Sequence, residues 1–214
     1  MPPILSLFED TLANDSGAVQ LPAATRMLFV VHGSATIDGK LHRDGEAWHG
    51  EGRVLLQPGE AGATFWRWEL APSATAATLP GATSHLKLAA QLDTLPAVDL
   101  LIRGDSVAFP PGGCAYLHTH QGPGVRCLIE GAIRIDTHGR STLYGPGSAW
   151  YESGPEPVFA QAAPDRPSRF IRVMVLPRAL IGKSSIRYVN AEDAAKPKTQ
   201  QYKIFVDAPI NFSG

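Results

Sequence analysis

Two histidines in the segment AYLHTHQGPGVRCLIEG, residues 115–131, have the residue type and spacing best suited to chemistry in this chain. His118 and His120 are separated by one residue, and side chains two apart on a β-strand lie on the same face. Two imidazoles at that spacing can bind one metal ion, and imidazole suits Zn, Cu, Fe and Ni. A near-neutral pKa also lets histidine act as a general acid or base without a metal.

A site of two histidines is incomplete as a metal centre. Catalytic zinc usually has three protein ligands, and non-heme iron uses two histidines and one carboxylate. Glu152 and Glu156 are the candidates for the missing carboxylate, and Gln161 is a weaker one. The alternative is that His118 and His120 bind no metal and line a pocket as polar residues.

Two further side chains are predicted to share the histidine face. Tyr116 lies two residues before His118 on the same strand. A turn centred near Gly122 would place His118 opposite Arg126, and opposed residues of an antiparallel pair point to the same side. The second histidine would lie opposite Gly124, whose missing side chain leaves a gap.

An arginine in a protein interior requires an anion. Its guanidinium is a planar fork of donors suited to a carboxylate. We therefore predict that Arg126, with Tyr116 nearby, binds the carboxylate of a small organic acid. The alternative is an internal ion pair of Arg126 with Glu130, Glu152 or Glu156.

The elements that must position these residues are predicted to be β-strands. Short apolar runs rich in β-branched and aromatic residues alternate with turn residues, among them 21 Gly and 18 Pro. This pattern is typical of an all-β sandwich or barrel. HLKLAAQLDTL, residues 85–95, is compatible with a short helix or with a linker that contains a strand. YKIFVDAPI, residues 202–210, is predicted to be a strand that covers a sheet edge of its own chain or of a partner.

An internal repeat divides the chain. Three blocks recur in the same order at nearly constant offset: 27–39 with 126–139, 45–52 with 147–154, and 65–72 with 170–177. Trp48 and Trp150 occupy equivalent positions in it, which favours a packing role for both. The repeat predicts two copies of one β-domain, residues 1–85 and 96–180, with a linker at 86–95 and a tail at 181–214.

Composition excludes several partners. The 214 residues carry a formal net charge of -1 without a long basic run, so nucleic acid and anionic membranes are not expected to bind. No apolar stretch reaches the roughly 20 residues of a membrane span. The N-terminal residues do not read as a signal peptide. We expect a cytoplasmic protein.

Two motifs resemble those of the cupins. HTHQGPGVRCLIEG resembles the first cupin motif, and GPGSAWYESGPEPV resembles the second. With the repeat, the chain is similar to a bicupin. The resemblance implies an all-β fold of two tandem cupin barrels (double-stranded β-helix, or jelly roll) with an extra C-terminal strand.

The sequence departs from the ligand pattern of metal-binding cupins. The two histidines of the first motif match His118 and His120, but its glutamate position holds Gly124 and the histidine position of the second motif holds Val158. In the first copy all the corresponding positions of the first motif lack ligands: Gln20, Pro22 and Arg26. We expect that copy to be structural.

The resemblance implies a metal-dependent enzyme, dioxygenase-like, that acts on a small organic acid in the C-terminal copy. Its cofactor would be a divalent transition metal, Fe, Zn, Mn, Ni or Cu. One alternative is a non-catalytic module that binds or senses a small anion, and another is a metal-free isomerase or lyase. Cupins often dimerise through edge strands, so the resemblance also implies a homodimer.

Overall fold

The chain folds almost entirely into β-strands. A computed structural model describes residues 2–73, 79–95 and 98–212, and within them it has seventeen strands, two short 3-10 helices and no α-helix. The predicted segment ends at residues 1, 96 and 214 lie outside the described residues. No helix among the described residues has the length and apolar character that crossing a membrane requires.

The chain divides into two compact units at the peptide bond between Gln91 and Leu92, inside the predicted linker, and Phe212 belongs to the first unit. The strands of the first unit are β1 (Ile4–Leu12), β2 (Val19–Leu21), β3 (Thr25–Ile37), β4 (Lys40–Arg43), β5 (Ala47–Gly50), β6 (Val54–Ala71) and β7 (Thr83–Gln91). They form one sheet in the order β4-β3-β6-β1-β7, in which β2 also pairs with β6 and β5 with β3. Most of the segment 85–95 is therefore strand β7, paired with β1, and not a helix.

A buried ionic cluster occupies the first unit. Arg26 Nε donates to Glu69 Oε1 at 2.8 Å, and the other guanidinium nitrogens of Arg26 donate to main-chain carbonyls. Arg67 is bidentate to Asp10, and its Nη1 lies 2.7 Å from Glu69 Oε2. All four side chains are at most 1% exposed. The position that aligns with a cupin metal ligand thus carries a paired arginine, and the structural role of the first copy stays a prediction.

The second unit has two five-stranded sheets. Its strands are β8 (Leu100–Phe109), β9 (Cys114–His120), β10 (Gly124–Glu130), β11 (Ile133–Thr137), β12 (Arg140–Tyr144), β13 (Ala149–Glu152), β14 (Val158–Ala162), β15 (Ser168–Pro177), β16 (Ile186–Tyr188) and β17 (Gln201–Ile210). The sheet orders are β13-β10-β15-β8-β17 and β12-β11-β14-β9-β16. One apolar core draws residues from both sheets, among them Leu128 and Phe170 from the first and Ile133 and Val158 from the second.

Residues 181–211 of the tail belong to the second unit. Strand β17 pairs with β8 along its length and confirms the strand predicted at 202–210. The short strand β16 pairs with β9, next to the two histidines. Both tail strands therefore extend sheets of their own chain, and the homodimer stays a prediction.

The repeat has a counterpart in local geometry. Gly33 and Gly131, aligned by the sequence, both have φ of +81°, a conformation that favours glycine. A Cβ atom at either position would lie 2.2 Å from a main-chain oxygen. Trp48 and Trp150 each pack against the apolar core of their unit. The fold is all-β. No described sheet closes on itself, so the two tandem barrels stay a prediction.

Candidate functional site

Strand β9 carries both histidines into the space between the two sheets of the second unit. His118 is 4% and His120 is 5% exposed. The predicted hairpin pairing of β9 with β10 is wrong, because β9 pairs with β14 and β16, while β10 pairs with β13 and β15. The Gly-Pro turn after β9 carries the chain from one sheet to the other. Arg126 on β10 still faces the histidines, but across the core and not along a ladder.

The two imidazole rings converge on one point. The Nε2 atoms of His118 and His120 lie 3.2 Å apart. His118 Nδ1 lies 2.7 Å from the main-chain oxygen of Tyr116, which accepts only, so Nδ1 carries the hydrogen and Nε2 presents its lone pair. His120 Nδ1 lies 3.3 Å from Ser185 Oγ in the tail. This arrangement matches the outer contacts that orient metal-binding histidines.

Burial keeps both histidines neutral. It lowers the pKa of His118, an effect that the nearby Glu152 carboxylate partly opposes. Burial also lowers the pKa of His120 well below its ordinary value, with further lowering from the positive charges of Arg172 and Arg126. Neutral imidazole is the form that ligates metals.

Glu152 is the carboxylate that the fold brings to the histidines. Strand β13 places it opposite Gly124, with 8% of the residue exposed. Its Oε1 accepts a hydrogen bond of 2.9 Å from Trp150 Nε1, and its Oε2 lies 3.6 Å from His120 Nε2. Glu156, the other candidate ligand, does not reach the site. It lies 3.5 Å from His138 Nδ1, with 39% of its side chain exposed.

Arg126 forms the internal ion pair that was the alternative to substrate binding. Its Nη2 lies 2.7 Å from Glu152 Oε2, although the N–H is not aligned for a hydrogen bond, and its Nη1 donates to Gly124 O at 2.6 Å. Burial lowers the pKa of Arg126 to about 10, against the opposing effect of Glu152. The guanidinium is therefore charged at neutral pH and is compensated by Glu152.

Gly124 makes room for that guanidinium. A Cβ atom there would lie 2.6 Å from Val173 O, 2.8 Å from Met174 Cγ and 3.0 Å from Arg126 Nη1. The glutamate of the cupin motif is thus replaced by a glycine, and the arginine two residues later turns back into the space.

The substitution Gly124→Ala should lower the free energy of unfolding by about 1–3 kcal/mol, the cost of overpacking a filled core. All three close contacts are with the main chain or with buried side chains, which cannot move away at low cost. Urea denaturation measures the effect. Gly145→Ala is the matched control, since a Cβ atom there meets nothing within 4 Å. Equal stability of the two variants would contradict this account of Gly124.

Tyr116 does not share the histidine face, so that prediction is corrected. The pairing of β9 with β14 shifts register between Val158 and Ala160, which breaks the strict alternation of side chains along β9. Ala115 enters the apolar core in its place. The Tyr116 ring instead lies 5.3 Å from Lys198 Nζ in the tail.

The space beside the histidines is small. His118, His120, Arg126 and Glu152 line a cavity of only about 20 Å³. A water molecule needs roughly 10–15 Å³ on this measure, so the space admits a water or an ion but no organic acid. In this structure Arg126 is paired with Glu152 beside this small space, and the binding of an organic acid by Arg126 stays a prediction.

Sequence reasoning missed several polar residues around the site. Arg172, on β15, forms a bidentate pair with Asp105 and lines the same small cavity. Its position in the repeat, aligned with Arg67, was the only available signal. Ser185 and Tyr202 come from the tail, which has no counterpart in the first copy and therefore gave no signal.

The two histidines can both bind one metal ion of the kind that the sequence suggests. Nitrogens 3.2 Å apart can both contact one ion, because a zinc–nitrogen bond is about 2.0–2.1 Å. With Glu152 they provide two imidazoles and one carboxylate, a set that suits non-heme iron. Among the described residues no three His, Cys, Asp or Glu side chains form a complete metal site, since Arg126 holds Glu152. The residues fit a metal ion if Glu152 moves toward the histidines.

Comparison with known proteins rests on structure. No protein-family model matches the sequence, and no curated protein matches it. Oxalate decarboxylase of Lactobacillus farciminis, in a formate complex, is similar with a TM-score of 0.63 and 15% identity over 90% of this chain and 82% of that chain. A mutant of Bacillus subtilis oxalate decarboxylase has a TM-score of 0.62 and 15% identity over 90% and 73% of the two chains.

A third similar structure is a cupin 2 conserved barrel domain protein from Leptotrichia buccalis, with a TM-score of 0.50 and 13% identity over 81% of this chain and 84% of that one. The chain has the cupin fold. At these identities the likeness extends to the fold and not to the activity.

Proposed function

We propose that the second unit of this cupin-fold protein binds one divalent transition metal ion through His118, His120 and Glu152, and that it acts on a small organic acid in dioxygenase-like chemistry. The observation that carries the proposal is the 3.2 Å separation of two buried, neutral Nε2 atoms. Similar structures include Bacillus subtilis oxalate decarboxylase, one of them described for its Mn(II) centres.

The surrounding residues have definite tasks in this proposal. A bound divalent metal would supply Lewis-acid and redox chemistry. The main-chain oxygen of Tyr116 fixes the His118 tautomer, and Trp150 Nε1 orients the Glu152 carboxylate. Arg126 supports Glu152 from the opposite side. The apolar core packed around the site excludes bulk water, which strengthens every electrostatic interaction there.

Metal content tests the proposal directly. Protein without an affinity tag, reloaded anaerobically with Fe, Zn, Mn, Ni and Cu in turn, should retain about one equivalent of at least one metal by mass spectrometry. The double variant His118→Ala/His120→Ala should retain none. His138→Ala is the matched control, because His138 is an exposed histidine outside the site. Absence of metal in the parent protein under every condition would refute the proposal.

A non-catalytic module that binds a small anion is the second candidate. It is favoured by the two missing ligands, at Gly124 and Val158, and by the buried guanidinium of Arg126 in the vacated space. Such a module would be stabilised by an acid but would not turn it over. Oxygen uptake by iron-loaded protein with a panel of small acids distinguishes the two functions.

The finer organisation is also proposed. We infer two tandem cupin domains from the sequence repeat and from the shared geometry of Gly33 and Gly131. A cytoplasmic location and a homodimer complete the proposal. Size-exclusion chromatography tests the dimer, and a monomer at micromolar concentration would reject it.

A further inference from the structure

The tail builds a second, larger cavity beside the histidine site. Its volume is about 370 Å³, within the range of small-molecule sites. We call it the tail pocket. Three of its lining residues, Arg103, Asp105 and Arg172, lie on β8 and β15, and the other ten come from residues 181–214, which have no counterpart in the first sequence repeat.

The two arginines of the tail pocket are compensated by carboxylates. Arg172 Nε and Nη2 donate to Asp105 at 2.9 and 2.7 Å. Arg103 Nε and Nη2 donate to Asp207 at 2.9 and 3.1 Å. These pairs bring no net charge to the pocket.

Two lysines at the tail pocket have no carboxylate within ion-pair distance. Among the described residues Lys183 and Lys198 form no close ion pair, because the Asp193 carboxylate, which Lys198 stabilises from farther away, is paired with Lys196 at 2.6 Å. Lys198 Nζ donates to the main-chain oxygen of Asp193 and lies 4.2 Å from the centre of the Tyr188 ring. The ammonium group is thus held at the pocket wall without a carboxylate partner.

The rest of the tail pocket is largely aromatic and aliphatic. Tyr188, Tyr202, Ile186 and Ile204 line it. An unpaired cation beside such walls matches a carboxylate attached to an apolar ring, because the charge meets the ammonium and the ring meets the apolar surface.

The tail pocket also reaches the histidine site. Arg172, Ile186 and Tyr202 line both cavities. Ser185 lines the tail pocket, and its Oγ lies 3.3 Å from His120 Nδ1. An acid in the tail pocket would therefore be adjacent to the two histidines, whose own cavity is too small to hold it.

We propose that the tail pocket binds a small aromatic carboxylic acid, with Lys198 as the residue that binds its carboxylate. The inference rests on the proposed function, in which a small organic acid reacts at the histidine site. It assigns the binding of that acid to the tail pocket and not to Arg126. Lys198 is accordingly a determinant of substrate specificity.

Calorimetric titration of the full-length, EDTA-treated protein tests this inference. The probes are benzoate, 4-hydroxybenzoate and cyclohexanecarboxylate, with uncharged benzamide as the control ligand. We expect at least one acid to bind, benzamide to bind at least about tenfold more weakly, and Lys198→Met to weaken the acid about tenfold or more. Lys203→Met is the matched control, since Lys203 lies on strand β17 of the same tail but does not line the pocket. The affinity of this variant for the acids should equal that of the parent protein.

A second variant tests the location. Ile204 is 56% exposed at the pocket wall, so Ile204→Trp should fold normally and block the acid. Binding of none of the three acids, or unchanged binding in Lys198→Met and Ile204→Trp, would overturn the inference. Its failure is separable from that of the metal site, because the same acids are titrated into His118→Ala/His120→Ala. If the double histidine variant still binds the acids and the parent protein contains no metal, only the metal proposal is refuted.

Discussion

Replacing Glu152 by leucine should lower the free energy of unfolding by about 3–5 kcal/mol and abolish metal binding. The Arg126 guanidinium is 1% exposed, and Glu152 Oε2, 2.7 Å away, is its carboxylate partner. Removal of one member of a buried ion pair leaves the other charge buried and uncompensated, which accounts for a loss of that size. Trp150 Nε1 loses its acceptor in the same variant.

Urea denaturation gives the stability and mass spectrometry gives the metal content. The informative control is the double variant Arg126→Met/Glu152→Leu, because apolar groups of similar volume can replace a buried pair at little cost. The double variant should recover the stability that Glu152→Leu loses through the unpaired guanidinium. It should keep only the cost of leaving the Trp150 N–H without an acceptor, about 1–3 kcal/mol. It should still bind no metal. A double variant no more stable than Glu152→Leu would show that the ion pair is not the cause.

Replacing Glu69 by leucine in the first unit should cost a similar 3–5 kcal/mol, without any change in metal content. Glu69 is the carboxylate that pairs with Arg26 and lies 2.7 Å from Arg67 Nη1, while Asp10 binds Arg67 and accepts a hydrogen bond from Ser84. The variant therefore leaves Arg26, which is 0% exposed, without its ion-pair partner. Tryptophan fluorescence during urea unfolding suits the measurement, since Trp48, Trp66 and Trp68 all lie in the first unit.

The matched control for Glu69 is Lys87→Met in the same unit. Lys87 pairs with Glu9 at 3.1 Å, but both side chains are partly exposed, so its loss should cost less than about 1 kcal/mol. A Glu69→Leu variant as stable as Lys87→Met would mean that the buried cluster contributes no net stability. Loss of metal from Glu69→Leu would mean that the first unit supports the site, contrary to its expected structural role.

The sequence predicted the strands, and it placed one of the two candidate carboxylate ligands near the histidines, because both predictions depend on short-range patterns. Apolar runs between turn residues predicted an all-β chain, and the alternating residues of 202–210 predicted strand β17. The alignment of the two repeats placed Glu152 near the second motif, and the structure brings it to 3.6 Å from His120. Glu156, only four residues later, follows the end of β13 and points to the surface beside His138.

The errors arose where pairing partners are distant in sequence. The hairpin prediction assumed that β10 pairs with the strand before it, yet β10 pairs with β13 and β15, across connections that no local pattern specifies. The shift between Val158 and Ala160 turned Tyr116 away from the histidines, and an irregularity of one residue leaves no mark on the composition of a strand.

By itself the sequence determined the all-β class, the repeat and the pair of histidines on one strand face, since periodicity and turn residues encode local conformation. Only the tertiary structure decided what surrounds that pair. It placed Glu152 and Arg126 against each other across the space of Gly124, and it folded the tail over the site to form a pocket with Lys198 at its wall. Arg126 and Glu152 are 26 positions apart, and His120 and Ser185 are 65 positions apart, so such contacts are fixed by the packing of two sheets and not by the neighbouring residues along the chain.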